Sequence, residues 1–405
     1  MADILQRIAE QDLCHGCGAC VAALPSGRAV MVMTPAGYLR PKAQQPLSAF
    51  DESRVTAVCS GITIGHDAIA PDHDVLWGPL RSVHTGYATD EQVRYAGSSG
   101  GVLSALALFL VQSGRAAFVL QVRNDEADPF GNRVAESRSR DDVLVSAGSR
   151  YVPSATLAEL EWHLASGAQF AVVGKPCDIA SLRRMAKTDA RIARQIPVML
   201  SFFCAGIPSR NDALALARAM GADPDDVEGL VFRGDGWPGY ARASLRDGRQ
   251  LRMDYNTSWG TILNRHLQFR CKICPDGTGE FADVVCGDAW YSKDGYPDFA
   301  ERPGRSLVLG RSAVGEALLG AAAAAGAVVL EPLSATEIAG MQPYQTIRKQ
   351  TVLARLAGMA LAGRRIPHYR RMRLAAAARR APHLLLLRNI AGAFLRALGR
   401  RSAHA

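Results

Sequence analysis

An α/β body, with a cysteine-rich, ferredoxin-like segment before it and a basic helical tail after it, is the fold class this sequence predicts. Three observations carry that reading. Three cysteines fall within one short run, Cys14-His15-Gly16-Cys17-Gly18-Ala19-Cys20. Two apolar runs of strand length, Phe170–Val173 and Val198–Phe203, end in turns and are joined by a helical pattern. The positive charge is concentrated at one end: fourteen Lys or Arg and no Asp or Glu follow Glu337, so a formal net charge of +9 leaves the preceding residues at 9 − 14 = −5. At 405 residues and 48% hydrophobic composition, the chain has enough apolar side chains for two or three units around a sizeable core. The division drawn is 1–78, 79–335 and 336–405.

In the first segment, thiolates at two-residue spacing fit three corners of an iron-sulfur cubane better than a disulfide. Gly16 and Gly18 suit a loop that must turn tightly and bring bare backbone N–H groups to sulfur. The compact ferredoxin pattern would place a fourth Cys where Leu24-Pro25 stands, so Cys59, the remaining Cys in the first 170 residues, is assigned as the fourth corner. The alternatives are a zinc site, which normally draws on two separated ligand pairs, and idle buried thiols. A c-type haem would need Cys-x-x-Cys-His, and that order is absent. The opening Met-Ala-Asp-Ile-Leu-Gln has no charged or apolar leader pattern, which places the expectation in the reducing cytoplasm, where thiols stay free for metals.

The body begins with Tyr95-Ala96-Gly97-Ser98-Ser99-Gly100-Gly101 ahead of an apolar helix from Val102 to Leu110. A Gly/Ser loop opening a helix offers free N–H groups and a positive dipole end to phosphate oxygens, although a plain glycine cap on a buried helix has the same look. The two strand-like runs lead into Gly174-Lys175-Pro176-Cys177 and Cys204-Ala205-Gly206. Between them a helix of about 18 residues is expected, with Asp178 as N-cap and Leu182, Met185 and Ile192 on its apolar face. Strand, helix, strand makes parallel strands, whose carboxyl ends share one sheet edge, so Cys177 and Cys204 can meet there. Arg246-Asp247-Gly248-Arg249 predicts an antiparallel hairpin after the parallel portion, hence a mixed sheet.

Cys271-Lys272-Ile273-Cys274 would complete, with Cys177 and Cys204, four ligands for another cubane; a zinc site or inert core thiols remain the alternatives for this scattered set. Cys286, in an apolar run, reads as core. No Gly-x-Gly-x-x-Gly follows a strand, so no Rossmann dinucleotide site is expected. The longest apolar stretches, Ala116–Val122 and Ala317–Leu330, are too short or too interrupted by Gly to span a bilayer.

The tail carries Arg364, Arg365, Arg370, Arg371, Arg373, Arg379 and Arg380 before Leu384–Leu387. Beyond them Leu387, Ile390, Ala391, Phe394 and Leu398 share one helical face, and Arg388, Arg396 and Arg400 another. Such a helix suits an anionic lipid surface, with packing on the protein's own body or on a partner as the alternative. Nucleic acid is not expected, because aromatics for base stacking are nearly absent here.

Seven blocks, in order, resemble the family of coenzyme F420 hydrogenase/dehydrogenase beta subunits, which also contains chlorophyll-pathway reductases. They are Cys14–Cys20, Val58-Cys59-Ser60-Gly61, Gly97–Gly101, Gly174–Ala180, Cys204–Ser209, Cys271–Cys274 and Ala282–Trp290. The resemblance implies an iron-sulfur flavoprotein oxidoreductase. One or two [4Fe–4S] clusters would serve an FAD held between the glycine loop and the strand ends. Gly97, Ser98, Ser99, Gly100 and Gly101 would contact the flavin, Lys175 would lie beside it, and Asp288 would sit at the same mouth. A solvated loop lysine and a turn-capping aspartate are the bland readings of the last two. The resemblance also supports Cys177, Cys204, Cys271 and Cys274 as cluster ligands. Leu24 departs from members with a fuller ferredoxin-like start, so one cluster, not two, is expected in the first segment. Electrons would pass between a ferredoxin or partner subunit, a cluster, FAD and an organic substrate, in either direction. The substrate is a deazaflavin in some members, and a sugar-linked acceptor is suggested by relatives that accompany polysaccharide synthesis. Trp237, Tyr240, Trp259, Trp290 and Tyr291 are candidates for the substrate side. Two other classes stand beside this reading: a non-catalytic electron-transfer subunit and a zinc-stabilised binding protein.

Overall fold

The computed structural model describes residues 2–293 and 296–401. Eight strands form its main sheet: β1 Ser82–Ala88, β2 Val119–Asn124, β3 Asn132–Ser137, β4 Ala171–Val173, β5 Val198–Phe202, β6 Val284–Asp288, β7 Ser306–Gly310 and β8 Val328–Pro332. They lie in the order β8-β1-β7-β6-β5-β4-β2-β3. β2, β4, β5 and β6 are parallel, while β3, β7, β1 and β8 each pair antiparallel to a neighbour. The sheet is mixed, as expected. The central strands are near-continuous Val, Leu and Ala because both faces are covered. Alternate residues divide between two cores: Leu120, Val172, Met199 and Val285 on one side, Val119, Ala171, Leu200 and Val284 on the other, as the two-residue period of a strand requires.

Helix α1, Val102–Gln112, covers the second face through Val102, Ala105 and Leu106. Helix α2, Pro176–Met185, covers the first through Ile179, Leu182 and Met185. Here the sequence reading needs correction. The 18-residue helix is two helices, α2 and Ala190–Gln195, and α2 starts before Asp178. Pro176 takes the first helical turn, where its missing N–H costs nothing, and Asp178 caps from the third helical position by accepting from the Lys175 N–H at 3.1 Å. Asp189 restarts the chain by accepting from the Arg191 N–H at 2.9 Å.

The hairpin Ala241–Leu245/Gln250–Met253 forms around its predicted turn, but with Val227–Val231 it makes a separate three-stranded sheet. The parallel portion resumes after it at β6, so the hairpin is an insertion within that portion. Helix α3, Arg210–Ala219, packs beneath this small sheet.

The first segment contributes helices Ile4–Glu10, Ala19–Ala22 and Ala49–Val58 and a hairpin, Ala29–Met33/Leu39–Ala43. Gly18 is required where it stands: its φ is +84° and a Cβ would lie 2.6 Å from the Ala158 nitrogen. Ala19, Val58 and Trp77 join Phe118, Ile338 and Met341 in one core; Leu5, Leu13 and Val55 join Phe269, Leu356 and Met359 in another. Hydrophobic cores thus draw on all three sequence segments.

Two tail helices, α4 Pro343–Leu361 and α5 His383–Arg401, pack closely through small residues. A Cβ on Gly358 would lie 2.3 Å from the Ile390 carbonyl oxygen and 2.9 Å from Ala393. Ala393 and Ala397 are buried there. The face meeting the body is therefore turned from the one expected: Leu387, Ala391 and Leu398 stay exposed, with Leu384 and Leu395 beside them, and Ile390 and Phe394 are half-buried. Arg388 and Arg396 are exposed, and the Arg400 side chain lies outside the described residues. Among the described residues, no helix is long and apolar enough to cross a membrane.

Candidate functional site

The carboxyl ends of β2, β4, β5 and β6 open onto one cleft of about 1430 Å³, counted to its open mouth. The antiparallel order also delivers the glycine loop to this edge, because Ser306 at the start of β7 pairs with both Asp288 and Gly86. Gly97, Ser98, Ser99 and Gly101 line the cleft. Gly101 caps α1 with a φ of +73° and no side-chain hydrogen bond, leaving the first N–H groups of α1 for an anion. Gly100 is a correction: it does not line the cleft, and a Cβ there would lie 2.5 Å from the Gly86 oxygen and 2.6 Å from the Ser306 nitrogen. It is a packing glycine that seats the loop on β1 and β7.

Across the cleft, Ser146–Arg150 supplies a second polar wall. Arg150 has no acid partner among the described residues; it donates to the carbonyl oxygens of Val145, Ala147 and Ser149. Burial pulls its guanidinium down to about 10, still cationic at neutral pH. A half-buried cation satisfied only by carbonyls leaves its charge available to an anion. Together with the free end of α1, this donor set fits the diphosphate of a dinucleotide such as FAD.

Lys175 lies in the cleft wall, but the loop-lysine reading is wrong. It is buried, with Nζ 2.8 Å from Asp178 and donating to the Ser154 carbonyl at 3.1 Å and hydroxyl at 2.8 Å. Burial opposes its charge, but Asp178 prevails and the pKa is raised. Asp288 is likewise engaged. Its carboxylate accepts from Arg233 Nη1 at 2.9 Å and Nη2 at 2.6 Å, and from Trp237 Nε1 at 2.8 Å. Arg233, buried over the rings of Tyr255 and Trp290, escaped the sequence reading because its partner is 55 residues away. Among the five aromatic candidates only Trp259 lines the cleft; Tyr151, Tyr255 and Tyr344 line it unforeseen. Trp237 and Trp290 stack on one another at 4.8 Å and are buried, whereas Tyr240 and Tyr291 are exposed. Cys286 is buried as expected, pushed up to about 12, and also borders the cleft.

Cys177, Cys204, Cys271 and Cys274 all line a second, smaller cavity, with Arg270 and Arg348 in its wall. The turn after β5 supplies Cys204 and the first turn of α2, just beyond β4, supplies Cys177, so both lie at the parallel edge the topology argument pointed to, and helix Phe269–Lys272 with its exit turn supplies the others. Burial pushes the Cys204 thiol up to about 12, with the Cys271 charge adding to it. The second set of four lies close by. The charges of Cys14, Cys17 and Cys59 act on Cys20, which burial raises well above the ordinary thiol range. Backbone N–H groups point at sulfur: Gly16 to Cys14 at 3.3 Å and Ala19 to Cys17 at 3.5 Å. A hydrogen-bonded bridge links the sets. Cys17 Sγ stands 3.7 Å from the Ser181 hydroxyl, which donates to Ser60 Oγ at 2.8 Å, and Ser60 donates to the Cys177 carbonyl at 3.1 Å.

Arg270 lies between the two sets of thiols. It is 3% exposed, donates to the Ser60 carbonyl at 3.1 Å, and has no carboxylate partner among the described residues. Burial raises the pKa of both Cys59 and Cys271, and the Arg270 charge offsets part of that rise at each. A buried guanidinium without a counter-ion is strongly unfavourable unless a negative group comes to it. Thiolates around an anionic metal centre meet that need, and neutral core thiols do not. All nine cysteines are free, so the donor set fits two thiolate-ligated clusters. Cys204, Gly206 and Ile207 belong to the walls of both the cavity and the cleft.

Two family models match the chain, both describing the coenzyme F420 hydrogenase/dehydrogenase beta subunit: its N-term over residues 83–161 and its C terminus over residues 167–336. One of the subunits of the F(420)H(2) dehydrogenase of Methanosarcina mazei is 23% identical over 298 residues, covering 71% of this chain and 80% of that protein. A chain of the F420-reducing [NiFe] hydrogenase complex from Methanosarcina barkeri superposes with a TM-score of 0.53 at 17% identity, covering 69% of this chain and 96% of that one. The mixed α/β architecture is thus the same as in that hydrogenase chain.

Proposed function

Since this chain belongs to the family of coenzyme F420 hydrogenase/dehydrogenase beta subunits, an oxidoreductase-type family, we propose that it is an iron-sulfur flavoprotein that moves electrons between a redox partner and a small organic substrate. Cys14, Cys17, Cys20 and Cys59 would hold one [4Fe–4S] cluster, and Cys177, Cys204, Cys271 and Cys274 another; the cleft would hold FAD. The clusters would supply single-electron transfer and the flavin the conversion of two such steps into one hydride. The observation that carries the reading is Arg270, a buried cation between two sets of thiols with no carboxylate partner among the described residues.

The protein's own groups have separable tasks in this scheme. The free end of α1 and Arg150 bind and orient the diphosphate. Lys175, fixed by Asp178, Ser154 and Thr156, presents a held cation to the inner wall, where it favours a negatively charged ring edge. Arg233 and Asp288 hold Trp237 and the mouth in place. The shared wall at Cys204, Gly206 and Ile207 puts the second cysteine set directly beside the cleft. The cleft gathers polar groups of the glycine loop and of Ser146–Arg150 with the rings of Tyr151, Tyr255 and Trp259, a lining suited to an organic ligand, which favours an enzyme over a passive relay. A deazaflavin and a ferredoxin or partner subunit are the proposed exchange partners. The exposed Leu384, Leu387, Ala391, Leu395 and Leu398 stripe, in a tail without acids, supports peripheral contact with an anionic membrane.

Anaerobic purification and cofactor analysis test the proposal. Two four-iron clusters and one flavin correspond to about eight iron atoms, eight acid-labile sulfides and one FAD per chain. Clusters without flavin would leave an electron relay, and a colourless zinc protein would defeat the redox reading.

A further inference from the structure

Away from the cleft and the cysteines, His66, His73 and Glu280 bring one ligand atom each to within 4.8 Å of one another. They come from separate places. His66 follows the short strand Thr63–Gly65, His73 opens the short strand His73–Asp74, and Glu280 lies beyond the Cys271–Cys274 turn. The Glu280 side chain is fully buried, and its Oε2 accepts from His66 Nε2 at 2.8 Å and faces His73 Nε2 at 3.8 Å. His73 is 2% exposed, and neither of its ring nitrogens has a hydrogen-bond partner among the described residues. A native core rarely leaves both nitrogens of a buried imidazole idle, and the idle Nε2 is aimed at the carboxylate oxygen that His66 already uses.

We infer that His66, His73 and Glu280 form a binding site for one divalent transition-metal ion, with zinc the best fit, separate from both cysteine sets. Ligands about 2.0–2.1 Å from a tetrahedral zinc stand roughly 3.3–3.4 Å apart. The observed spacings of 2.8 and 3.8 Å bracket that value, so a shift of the carboxylate oxygen toward His73 by about half an ångström satisfies both. Two imidazoles and one carboxylate are a donor set that zinc accepts, with water completing the shell. Lys349 donates to the other oxygen, Oε1, which fixes the carboxylate and leaves Oε2 for the metal, the outer-shell support usual for such ligands. Arg311 and Arg373 stand nearby, spending their guanidinium groups on carbonyls of Trp77, Pro79, Thr278 and His73. With these cations opposed by Glu280 and Asp276, coordination rather than local charge holds the ion. The site ties residues 66–73 to the loop that follows Cys274, and so braces the second cysteine set from outside.

The test is zinc itself, on the whole cluster-loaded protein purified anaerobically and equilibrated with zinc. Metal analysis should find about one zinc per chain, and X-ray absorption at the zinc edge should show a nitrogen and oxygen shell near ~2.0 Å. His73→Ala should lower zinc content at least ~10-fold, the loss expected when a ligand is removed, while iron and sulfide stay unchanged. Absence of zinc from the wild-type protein overturns the inference, as does a sulfur shell near ~2.3 Å, which would place zinc in a cysteine set. Undiminished zinc in His73→Ala overturns it equally. If that variant does not fold, the wild-type absorption spectrum still decides.

Discussion

Replacing Lys175 by Met should destabilise the protein far more than an ordinary loop substitution. Met keeps the length of the stem and opens no cavity, so the change isolates the charge. Asp178 is fully buried, its Oδ2 meets Lys175, and its Oδ1 has no hydrogen-bond partner among the described residues. Removing one partner of such a pair typically costs about 3–5 kcal/mol. Proton uptake sets a ceiling: neutralising a carboxylate of ordinary pKa ~3.9 at pH 7 costs about 4 kcal/mol, and at pH 5 only about 1.5 kcal/mol. The deficit at pH 7 is therefore ~3–4 kcal/mol, shrinking as pH falls because the unpaired acid can then be protonated cheaply. At ~2 °C per kcal/mol for a large chain, the melting temperature should drop by ~6–8 °C. The assay is differential scanning calorimetry of cluster-loaded protein at one scan rate, since unfolding of such proteins is rarely reversible. The double variant Lys175→Met/Asp178→Asn should recover more than half of the loss, because both charges are gone. A single variant melting within ~1 °C of wild type, or a double variant no better than the single, would refute the reasoning.

Three further outcomes follow from the site. Cys17→Ser should lower iron and acid-labile sulfide and leave most of the flavin, whereas Cys177→Ser and Cys271→Ser should abolish one and the same electron paramagnetic resonance signal; two different signals lost would mean that these two cysteines do not share a centre. Ser98→Asp puts a carboxylate at the open end of α1, where it suits the helix dipole but repels phosphate, so the variant should fold normally and lose at least ~10-fold in FAD affinity, equivalent to about 1.4 kcal/mol; undiminished FAD would remove the loop from the site. Leu387→Glu with Leu395→Glu, at positions 62% and 66% exposed, should leave stability unchanged and abolish salt-sensitive co-sedimentation with anionic vesicles, to which each near-surface Arg contributes ~1 kcal/mol; equal sedimentation would reject the membrane role.

What the sequence disclosed and what it withheld divide along a physical line. β4, β5, α1 and the Arg246–Arg249 hairpin were legible because periodicity and turn chemistry are local. The parallel edge followed from them and placed Cys177 near Cys204. The break after Met185 was missed because Ile192 keeps the apolar phase across a gap that only the Asp189 cap reveals. Gly100 read as a phosphate-loop glycine because its reason for being glycine, the approach to Gly86 and Ser306, is non-local. A solvated loop lysine stayed open beside the flavin reading of Lys175 because the sequence does not show that Ser154, Thr156 and Asp178 close around it. Arg233, Arg270 and the His66–His73–Glu280 group have no motif at all; each is defined by partners far along the chain.

The bridge through Ser60, Ser181 and Cys177 has a consequence for how the protein is made. If the four cysteines share a cluster as proposed, Cys177 must wait for 274 − 177 = 97 further residues before its last partner is synthesised, which at ~5–20 residues per second is about 5–20 s. The Cys14–Cys59 set gathers sooner, but its wall at Ser181 is also still unmade. During that interval a nascent chain displays bare thiols with neither cluster nor core to shield them. On the proposed cluster assignment, assembly factors that deliver iron and sulfur would meet a chain at least two thirds made, 274 of 405 residues, and oxygen stress should cost newly made molecules more than finished ones.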